Sequence, residues 1–213
     1  MNPVQIIGRS SSHFTRVTRM VAHELGVAVE LVPVHDLTSG APASYAGNPA
    51  LKIPTLRRES GARVFGTENI CRALAELAEL ADPARRIAWP EAVREDVGRN
   101  AQELVWHGMA AQVQLVLGTI VGKLPADHGY FAKGRAGFVG ALGWLDAHLA
   151  SALAALPTAR DVSLFEVTLF CLVDHVAFRA TLPLAPYPAL VGFAAGFATR
   201  PSARDTGYRF DVA

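Results

Sequence analysis

The sequence predicts a small α/β domain with a mixed sheet, followed by an all-α domain. Strand and helix patterns alternate over residues 1–80, whereas nearly everything after Pro90 has the three-and-four apolar spacing of helices. Between the two patterns lies DPARRIAWP (82–90), a polar stretch with two prolines that is typical of an inter-domain linker. We therefore expect domains at 1–80 and 91–213, joined by a linker at 81–90.

The composition is that of a globular protein. The chain has 213 residues, 51% of them hydrophobic and 18% charged, with a formal net charge of +1. No run of Lys and Arg is present, which argues against nucleic acid as a partner. No secretory signal is visible, and Glu166 and Asp174 interrupt the most apolar later segment, so we expect no membrane span and a cytoplasmic location. Cys71 and Cys171 match neither a redox pair nor a zinc site, so we expect free thiols and no metal.

The first domain shows strand, helix, strand, hairpin and helix patterns in that order. Gly26 closes the first helical pattern, and Ser60-Gly61 marks the turn of the hairpin. The predicted elements are a buried strand VQIIG (4–8), a helix at His13–Leu25, a strand VAVELVPV (27–34), a mostly irregular stretch at 36–50, two short strands in IPTLRRESGARVF, and an amphipathic helix TENICRALAELAEL.

Four helical patterns follow in the second domain. They are predicted at about 91–124, 129–156, 163–179 and 188–199. Ser163 precedes the third pattern and Glu166 lies three residues later, which predicts a capping box at that helix start, with Val162 and Val167 as its hydrophobic staple. We expect this motif to be structural, and the Asp174-His175 pair in the same helix to be structural or at the surface.

Four stretches of the sequence carry a family resemblance: Ser12–Arg16 (SHFTR), Asn48–Pro54 (NPALKIP), Phe65–Ile70 (FGTENI) and Ser163–Glu166. Together they resemble the cytosolic glutathione S-transferase family in its serine-type, bacterial-like form. The first is similar to the family's Ser-Pro-Phe-x-Arg, and the second to its Asn-Pro-x-Gly-Lys-Val-Pro. Phe65–Ile70 (FGTENI) stands where the family has Glu-Ser before an apolar residue, and Ser163–Glu166 where it has a Ser/Thr-x-x-Asp cap. The resemblance covers nearly the whole chain. It implies a thioredoxin-like, glutathione-binding first domain, an acceptor-substrate pocket in the second, and a homodimer with a role in detoxification.

Ser12 is the candidate catalytic residue. It precedes the first helix, where unpaired backbone N–H groups and the helix dipole favour an anion. A hydroxyl at this position can donate a hydrogen bond to a thiolate and lower the thiol pKa of a bound ligand; the resemblance implies that this ligand is glutathione. Ser12 could also simply cap the helix, and Ser10 and Ser11 are alternatives because the register within the serine run is uncertain.

Lys52, Ile53, Pro54, Glu68 and Asn69 are the candidate glutathione-binding residues. The resemblance implies a cis bond between Ile53 and Pro54, which would present the Ile53 backbone to an extended peptide, although an ordinary trans bond also fits the sequence. Lys52 could meet the glycyl carboxylate. Glu68 could bind the γ-glutamyl amine, while N–H groups at the helix start bind its carboxylate.

Two positions depart from the family pattern. His13 stands where the family has Pro, and we expect an exposed side chain without a catalytic role. Asn69 replaces the family's Ser; it is an equally good helix cap, but its larger amide could reshape the carboxylate site.

The sequence defines the residues of the acceptor pocket less well than those of the glutathione site. Trp106, Met109, Ala110 and Val113 form an apolar stripe on the first long helix of the second domain, in the region where the family binds its acceptor. Stripes with helical spacing also form cores, so this set is a weak candidate. We expect His107 to lie at the surface or to be packed.

These features favour a transferase that joins the thiolate of glutathione, as co-substrate, to a small hydrophobic electrophile. The alternatives are a non-catalytic binding or interaction protein with the same fold, or a glutathione-dependent isomerase or dehalogenase. Thiol–disulfide exchange is disfavoured because it needs a cysteine where Ser12 stands. The loop after the first strand lacks the glycine patterns of nucleotide-binding proteins.

Overall fold

A computed structural model describes residues 4–79 and 86–212, which form two compact units. The first unit combines the residues before Ile87 with those from Thr199 onward, and the second is Ile87–Ala198. The first contains the mixed sheet and the second is helical, which confirms the predicted order of an α/β domain and then a helical region.

The sheet of the first unit has the strand order β2-β1-β3-β4. β1 pairs in parallel with β2, whereas β3 runs antiparallel to both β1 and β4. Ser12 caps the first helix, and Gly26 ends it with a left-handed φ of 70°. The elements of this unit are β1 Gln5–Gly8, α1 His13–Leu25, β2 Glu30–Pro33, β3 Thr55–Arg57, β4 Arg63–Phe65 and α2 Thr67–Glu79, with a 3₁₀ turn at Pro42–Tyr45.

The second strand is shorter than its sequence suggests. The pattern VAVELVPV predicts a strand over 27–34, but only Glu30–Pro33 is extended and paired. This strand lies at the edge of the sheet and pairs only with β1, whose four residues set the length of the ladder. Within residues 4–79, no strand pairs with the β-branched residues Val27 and Val29.

Two layers of long helices form the second unit. Its helices are α3 Asp96–Leu115, continued by a π-helical segment Val116–Val121, α4 Gly129–Ala154, α5 Leu164–Arg179 and α6 Pro188–Phe197. The α5 helix is the most buried, and its His175 accepts a hydrogen bond at Nδ1 from the Gln112 amide on α3 (3.1 Å). The Gln112 carbonyl in turn accepts from the Thr181 hydroxyl (2.8 Å). His175 therefore has the structural role that the sequence predicts.

Two stretches, Asp96–Val121 and Gly129–Ala154, are long and apolar enough to span a membrane by length and composition alone. Buried core helices of soluble proteins pass the same test. The sequence expectation of no membrane span was drawn from the shorter apolar segment of α5 and stays a prediction.

The linker is predicted at residues 81–90, and its first five residues lie outside the described residues. Of the remainder, Ile87–Ala88 forms a strand, β5, that pairs in parallel with Val162–Ser163, β6. This part of the predicted linker therefore belongs to the helical unit, because its backbone hydrogen-bonds to the residues that begin α5.

Residues 199–212, here called the return segment, belong to the first unit, whereas the sequence pattern placed them in the second domain. The segment includes a short helix, α7 Pro201–Asp205. Arg200 makes two hydrogen bonds to the Glu24 carboxylate on α1, at 2.8 and 2.7 Å, and the Ser202 hydroxyl also donates to Glu24. The polar contacts of α1, not an apolar pattern, determine where this segment lies.

The capping box at the start of α5 is confirmed. The Ser163 hydroxyl accepts from the Glu166 N–H (3.0 Å), and Glu166 accepts from the Ser163 N–H (2.8 Å). Arg160 adds hydrogen bonds to both Glu166 oxygens, each at 3.0 Å. Burial alone would raise the pKa of the Glu166 carboxyl, but the hydrogen bonds and charge supplied by Arg160 and Ser163 outweigh it and lower the pKa.

We predict that Glu166→Gln lowers the free energy of unfolding by about 1–2 kcal/mol at neutral pH, since it weakens a cap and removes the charge that Arg160 binds. A folded-state pKa below the unfolded one stabilises the protein above the ordinary glutamate pKa, and this stabilisation is lost as the pH falls through the folded value. Urea-unfolding midpoints should therefore differ most at neutral pH and converge in acid.

Glu103→Gln, on the exposed side of α3, is the control and should leave the midpoint unchanged at both pH values. A deficit for Glu166→Gln that is as large in acid as at neutral pH would contradict the assigned role of its charge.

Candidate functional site

The candidate glutathione-binding segments meet at one end of the sheet. Ile7 at the end of β1 is paired with Thr55 at the start of β3, and Thr55 is paired with Phe65 at the end of β4. Neighbouring strands lie about 5 Å apart, so the segments that continue from these residues lie side by side. They are the serine loop 9–12 with the start of α1, the Ile53-Pro54 corner, and the start of α2.

The three serines differ in accessibility. Ser10 is 0% exposed and Ser11 is 4% exposed, whereas Ser12 is partly exposed at the start of α1. The Ser12 N–H donates to the Arg9 carbonyl (3.1 Å), and its own carbonyl accepts the first helical hydrogen bond from Arg16 (2.9 Å). Of the three hydroxyl groups, that of Ser12 is therefore the one that a ligand can reach.

The hydroxyl oxygen of Ser12 caps α1 as a hydrogen-bond acceptor, which leaves the O–H group available as a donor. Its oxygen accepts from the Thr15 N–H at 3.3 Å, which is the N-cap role that the sequence allows. Accepting this bond leaves the O–H free to donate outward at the positive end of the helix dipole. Because the first turn of α1 contains no acidic residue, the position favours an anion. Capping and donation to a thiolate are therefore compatible roles.

His13 is not exposed, and this expectation was wrong. It is the first residue of α1, its side chain is 1% exposed, and its ring packs against that of Phe14 with centroids 4.7 Å apart. His13 therefore lies in the interior of the first unit and does not face solvent.

The peptide bond between Ile53 and Pro54 is cis, in agreement with the resemblance. Asn48 holds the preceding loop, since its side-chain amide donates to the Lys52 carbonyl (2.9 Å) and its side-chain carbonyl accepts from the Ala50 N–H (3.0 Å). Lys52 is exposed, and Ile53 packs against the cluster of Ile7, Val34 and Tyr45.

Leu51 occupies the position at which the family pattern has Gly, and its φ is 55°. Left-handed backbone favours glycine because a Cβ is strained there. In this chain a leucine adopts it, and its side chain packs against the same Ile7, Val34 and Tyr45 cluster. This apolar packing offsets part of the backbone strain.

At the start of α2, Glu68 is fixed by Arg72, one helical turn later. Arg72 donates to the same Glu68 oxygen from Nε (3.0 Å) and from Nη2 (2.7 Å), so Glu68 is held along the helix surface. The helix begins after Gly66, whose carbonyl accepts from the Ile70 N–H (2.9 Å). The Asn69 amide donates back to the Phe65 carbonyl (3.2 Å), which turns its NH₂ group toward the end of β4.

The predicted acceptor stripe on α3 is divided by the structure. Met109 is 0% exposed, which removes it from the predicted pocket lining, because its side chain is part of the buried face of the helix. Trp106 and Val113 are half-buried and Ala110 is exposed, so these three share a face with accessible surface. His107 is exposed, as expected.

Comparison with known proteins also points to the resemblance to glutathione S-transferases. Residues 11–77 match the family model described as the N-terminal domain of glutathione S-transferase. Over these residues the first domain is similar in sequence to the N-terminal domain of glutathione S-transferases. A comparison with curated protein sequences gives no match.

Solved glutathione S-transferase structures share the fold of the whole chain. One from Methylobacillus flagellatus, with glutathione bound, is 21% identical with a TM-score of 0.74, covering 97% of this chain and 100% of its own. One from Methylobacterium radiotolerans, in complex with glutathione sulfonate, is 20% identical with a TM-score of 0.74, covering 100% and 98%. A family member from Pseudomonas fluorescens, with bound glutathione, is 19% identical with a TM-score of 0.74, covering 97% and 99%. The thioredoxin-like domain followed by helices is therefore the glutathione S-transferase fold.

Sequence reasoning missed the residues that support the candidate site. Arg72 could have been found from its four-residue spacing to Glu68 on a helix. Arg16 was noted only as part of a motif, yet it is 2% exposed and donates to the Ala203 carbonyl (3.0 Å). Asp211 accepts from the backbone N–H of Ser10 (2.8 Å) across 201 residues, and no local pattern signals such a contact.

We predict that Gly8→Ala destabilises the first unit by about 1–3 kcal/mol, because an added Cβ would lie 2.5 Å from Oγ1 of Thr15. The same Thr15 oxygen accepts from the Arg9 N–H (3.4 Å), so the clash also disturbs the serine loop. Gly143→Ala on α4 is the matched control: its added Cβ meets nothing within 4 Å, and it should stabilise the protein by about 0.5–1 kcal/mol. Equal unfolding midpoints for the two variants would contradict the close packing of Gly8 on Thr15.

Proposed function

We propose that this chain is a glutathione transferase in which Ser12 activates the thiol of glutathione. The observation that carries the proposal is the position of Ser12, whose hydroxyl is accessible, caps α1 and retains its proton. Together with the helix dipole, a donated O–H stabilises a thiolate more than a thiol, which lowers the pKa of the bound thiol. Substrate binding next to this thiolate then converts a bimolecular attack into a positioned one.

The remaining parts of glutathione have matching partners at the same end of the sheet. Glu68 supplies a carboxylate for the γ-glutamyl amine, and the N–H groups at the start of α2 suit its carboxylate. The backbone of Ile53 suits the peptide as an added strand, and Lys52 suits the glycyl carboxylate. Because the Asn69 amide already bonds to the Phe65 carbonyl, its NH₂ group is directed away from the carboxylate site.

The acceptor is proposed to be a small hydrophobic electrophile. Trp106, Ala110 and Val113 on α3 are the accessible apolar residues that we assign to it. A disulfide-exchange activity is not supported, since Cys71 and Cys171 are both buried. The homodimer, the cytoplasmic location, the role in detoxification and the independence from metals remain predictions.

A non-catalytic binding protein with this fold is the second candidate, and the departures at His13 and Asn69 favour it. Calorimetric titration with glutathione separates the two functions. The transferase proposal expects saturable binding at submillimolar to millimolar glutathione, whereas the absence of heat at saturating concentrations would exclude it and leave the second candidate. Binding without turnover of a panel of aromatic halides and epoxides would also favour the second candidate.

We predict that Ser12→Ala raises the pKa of the bound thiol and lowers kcat by about a hundredfold, a typical cost of removing one donor to a developing anion. Thiolate formation is measured from its ultraviolet absorbance in the glutathione complex as a function of pH. Since Ser12→Ala also removes the helix cap, unfolding should be measured in parallel; a loss of about 1 kcal/mol is expected.

Ser10→Ala and Ser11→Ala are the matched controls within the same loop. Their hydroxyl groups are buried, so neither variant should change the pH at which the bound thiol ionises. A shift that is larger in either control than in Ser12→Ala would show that another serine faces the sulfur. Equal shifts in all three would mean that loop conformation, and not a single hydroxyl, sets the thiol pKa.

A further inference from the structure

The return segment makes hydrogen bonds to residues along α1. Near the end of the helix, Glu24 binds Arg200 through two hydrogen bonds. In the first turn of the helix, the buried Arg16 donates to the carbonyl of Ala203 (3.0 Å) and the hydroxyl of Thr206 (3.4 Å). Its guanidinium carbon also lies 4.2 Å from the centroid of the Tyr208 ring, within the range of a cation–π contact. The segment thus follows α1 toward its N-terminus.

At that N-terminus the segment reaches the serine loop. The carboxylate of Asp211 accepts from the backbone N–H of Ser10 at 2.8 Å. Ser10 lies between Arg9 and Ser11 in a turn that the bond from the Ser12 N–H to the Arg9 carbonyl closes. Its side chain is fully buried, and within the described part of the chain its hydroxyl has no hydrogen-bond partner. The backbone bond to Asp211 is therefore the polar contact that holds Ser10.

Asp211 lies close enough to Arg19 to interact with its charge. Burial and the charges of Arg209 and Arg16 lower the pKa of Arg19, whereas the charge of Asp211 opposes that change. The side chain of Asp211 therefore has a second electrostatic contact besides its hydrogen bond to Ser10. An acceptor that is anchored in this way can restrain a short irregular loop.

We propose that Asp211 is a positioning residue for the glutathione site: it fixes the serine loop through the Ser10 N–H and so sets where the Ser12 hydroxyl points. This rests on the proposed function, because it concerns how that site is held. Asp211 does not touch the sulfur in this arrangement; it acts through the backbone of residues 10–12. A loop held by a remote acceptor is preorganised before the ligand arrives, which favours binding.

Two substitutions separate the acceptor from the charge. Asp211→Ala removes the acceptor and should raise the KM for glutathione about tenfold, the scale of one hydrogen bond to a charged group, with a smaller fall in kcat. Asp211→Asn keeps a side-chain carbonyl that can accept from Ser10 and should recover most of the wild-type KM. If Asp211→Asn is as impaired as Asp211→Ala, charge and not loop position is responsible, and the proposal is overturned.

Asp205→Ala is the matched control. Asp205 belongs to the same return segment and pairs with His23 at 2.9 Å on the exposed side of α1, so its loss should leave the KM unchanged. Amide hydrogen exchange on peptides covering the serine loop gives a second readout that needs no glutathione. Exchange should be faster in Asp211→Ala, near wild type in Asp211→Asn and unchanged in Asp205→Ala.

These measurements distinguish failure of the inference from failure of the proposed function. If the wild-type protein does not bind glutathione, the proposed function fails, and the exchange data alone decide whether Asp211 holds the loop. Faster exchange in Asp211→Ala with an unchanged KM would reduce Asp211 to a stabilising contact and overturn its positioning role. Unchanged exchange together with an unchanged KM would overturn both the contact and its consequence.

Discussion

The hydrogen-bonded ladder through Ile7, Thr55 and Phe65 is the constraint on which the candidate site depends. Because β3 runs antiparallel to both neighbours, the end of β1, the start of β3 and the end of β4 lie at the same end of the sheet. Each strand is short, so the segments that continue from them cannot move far from this end. A register shift of one residue would turn every side chain of the shifted strand to the other face of the sheet and would disrupt the packing beneath the site. The strand pairing therefore fixes the backbone of the candidate ligand-binding segments, whatever side chains they carry.

The N-termini of α1 and α2 both lie at that end of the sheet, and their first turns differ in charge. The first turn of α1 contains no acidic residue, whereas that of α2 contains Glu68. Each helix N-terminus favours an anion by about 0.3–1 kcal/mol, but a carboxylate in the first turn also attracts a cation. The pair thus suits a ligand with an anionic sulfur near α1 and a zwitterionic amino-acid end near α2. This asymmetry supports glutathione over a simple dianion, such as a phosphate, which would gain nothing from Glu68.

The sequence was sufficient wherever a short pattern determines the structure. The spacing of Val17, Val21 and Leu25 predicted α1, and Ser163 with Glu166 predicted the capping box, because both depend on residues within two helical turns. The cis Ile53–Pro54 bond came from resemblance alone. The sequence was insufficient wherever distant segments compete for a surface. Met109 and Trp106 have the same helical pattern, yet only packing decides which is buried. The burial of His13 likewise depends on tertiary packing.

The return segment shows why the rest of the candidate site could not be read from the sequence. Residues 9–12 are small, polar or flexible, and they form neither a helix nor a strand, so their own preferences do not specify one conformation. What specifies it comes from elsewhere: Thr15 packs against Gly8, and Asp211 binds the Ser10 N–H. A displacement of a catalytic group by about 1 Å can cost a hundredfold in rate, so a donor on such a loop requires restraint from outside the loop. The contact between Asp211 and the Ser10 N–H, which joins residues 201 positions apart, is therefore one on which the proposed role of Ser12 depends.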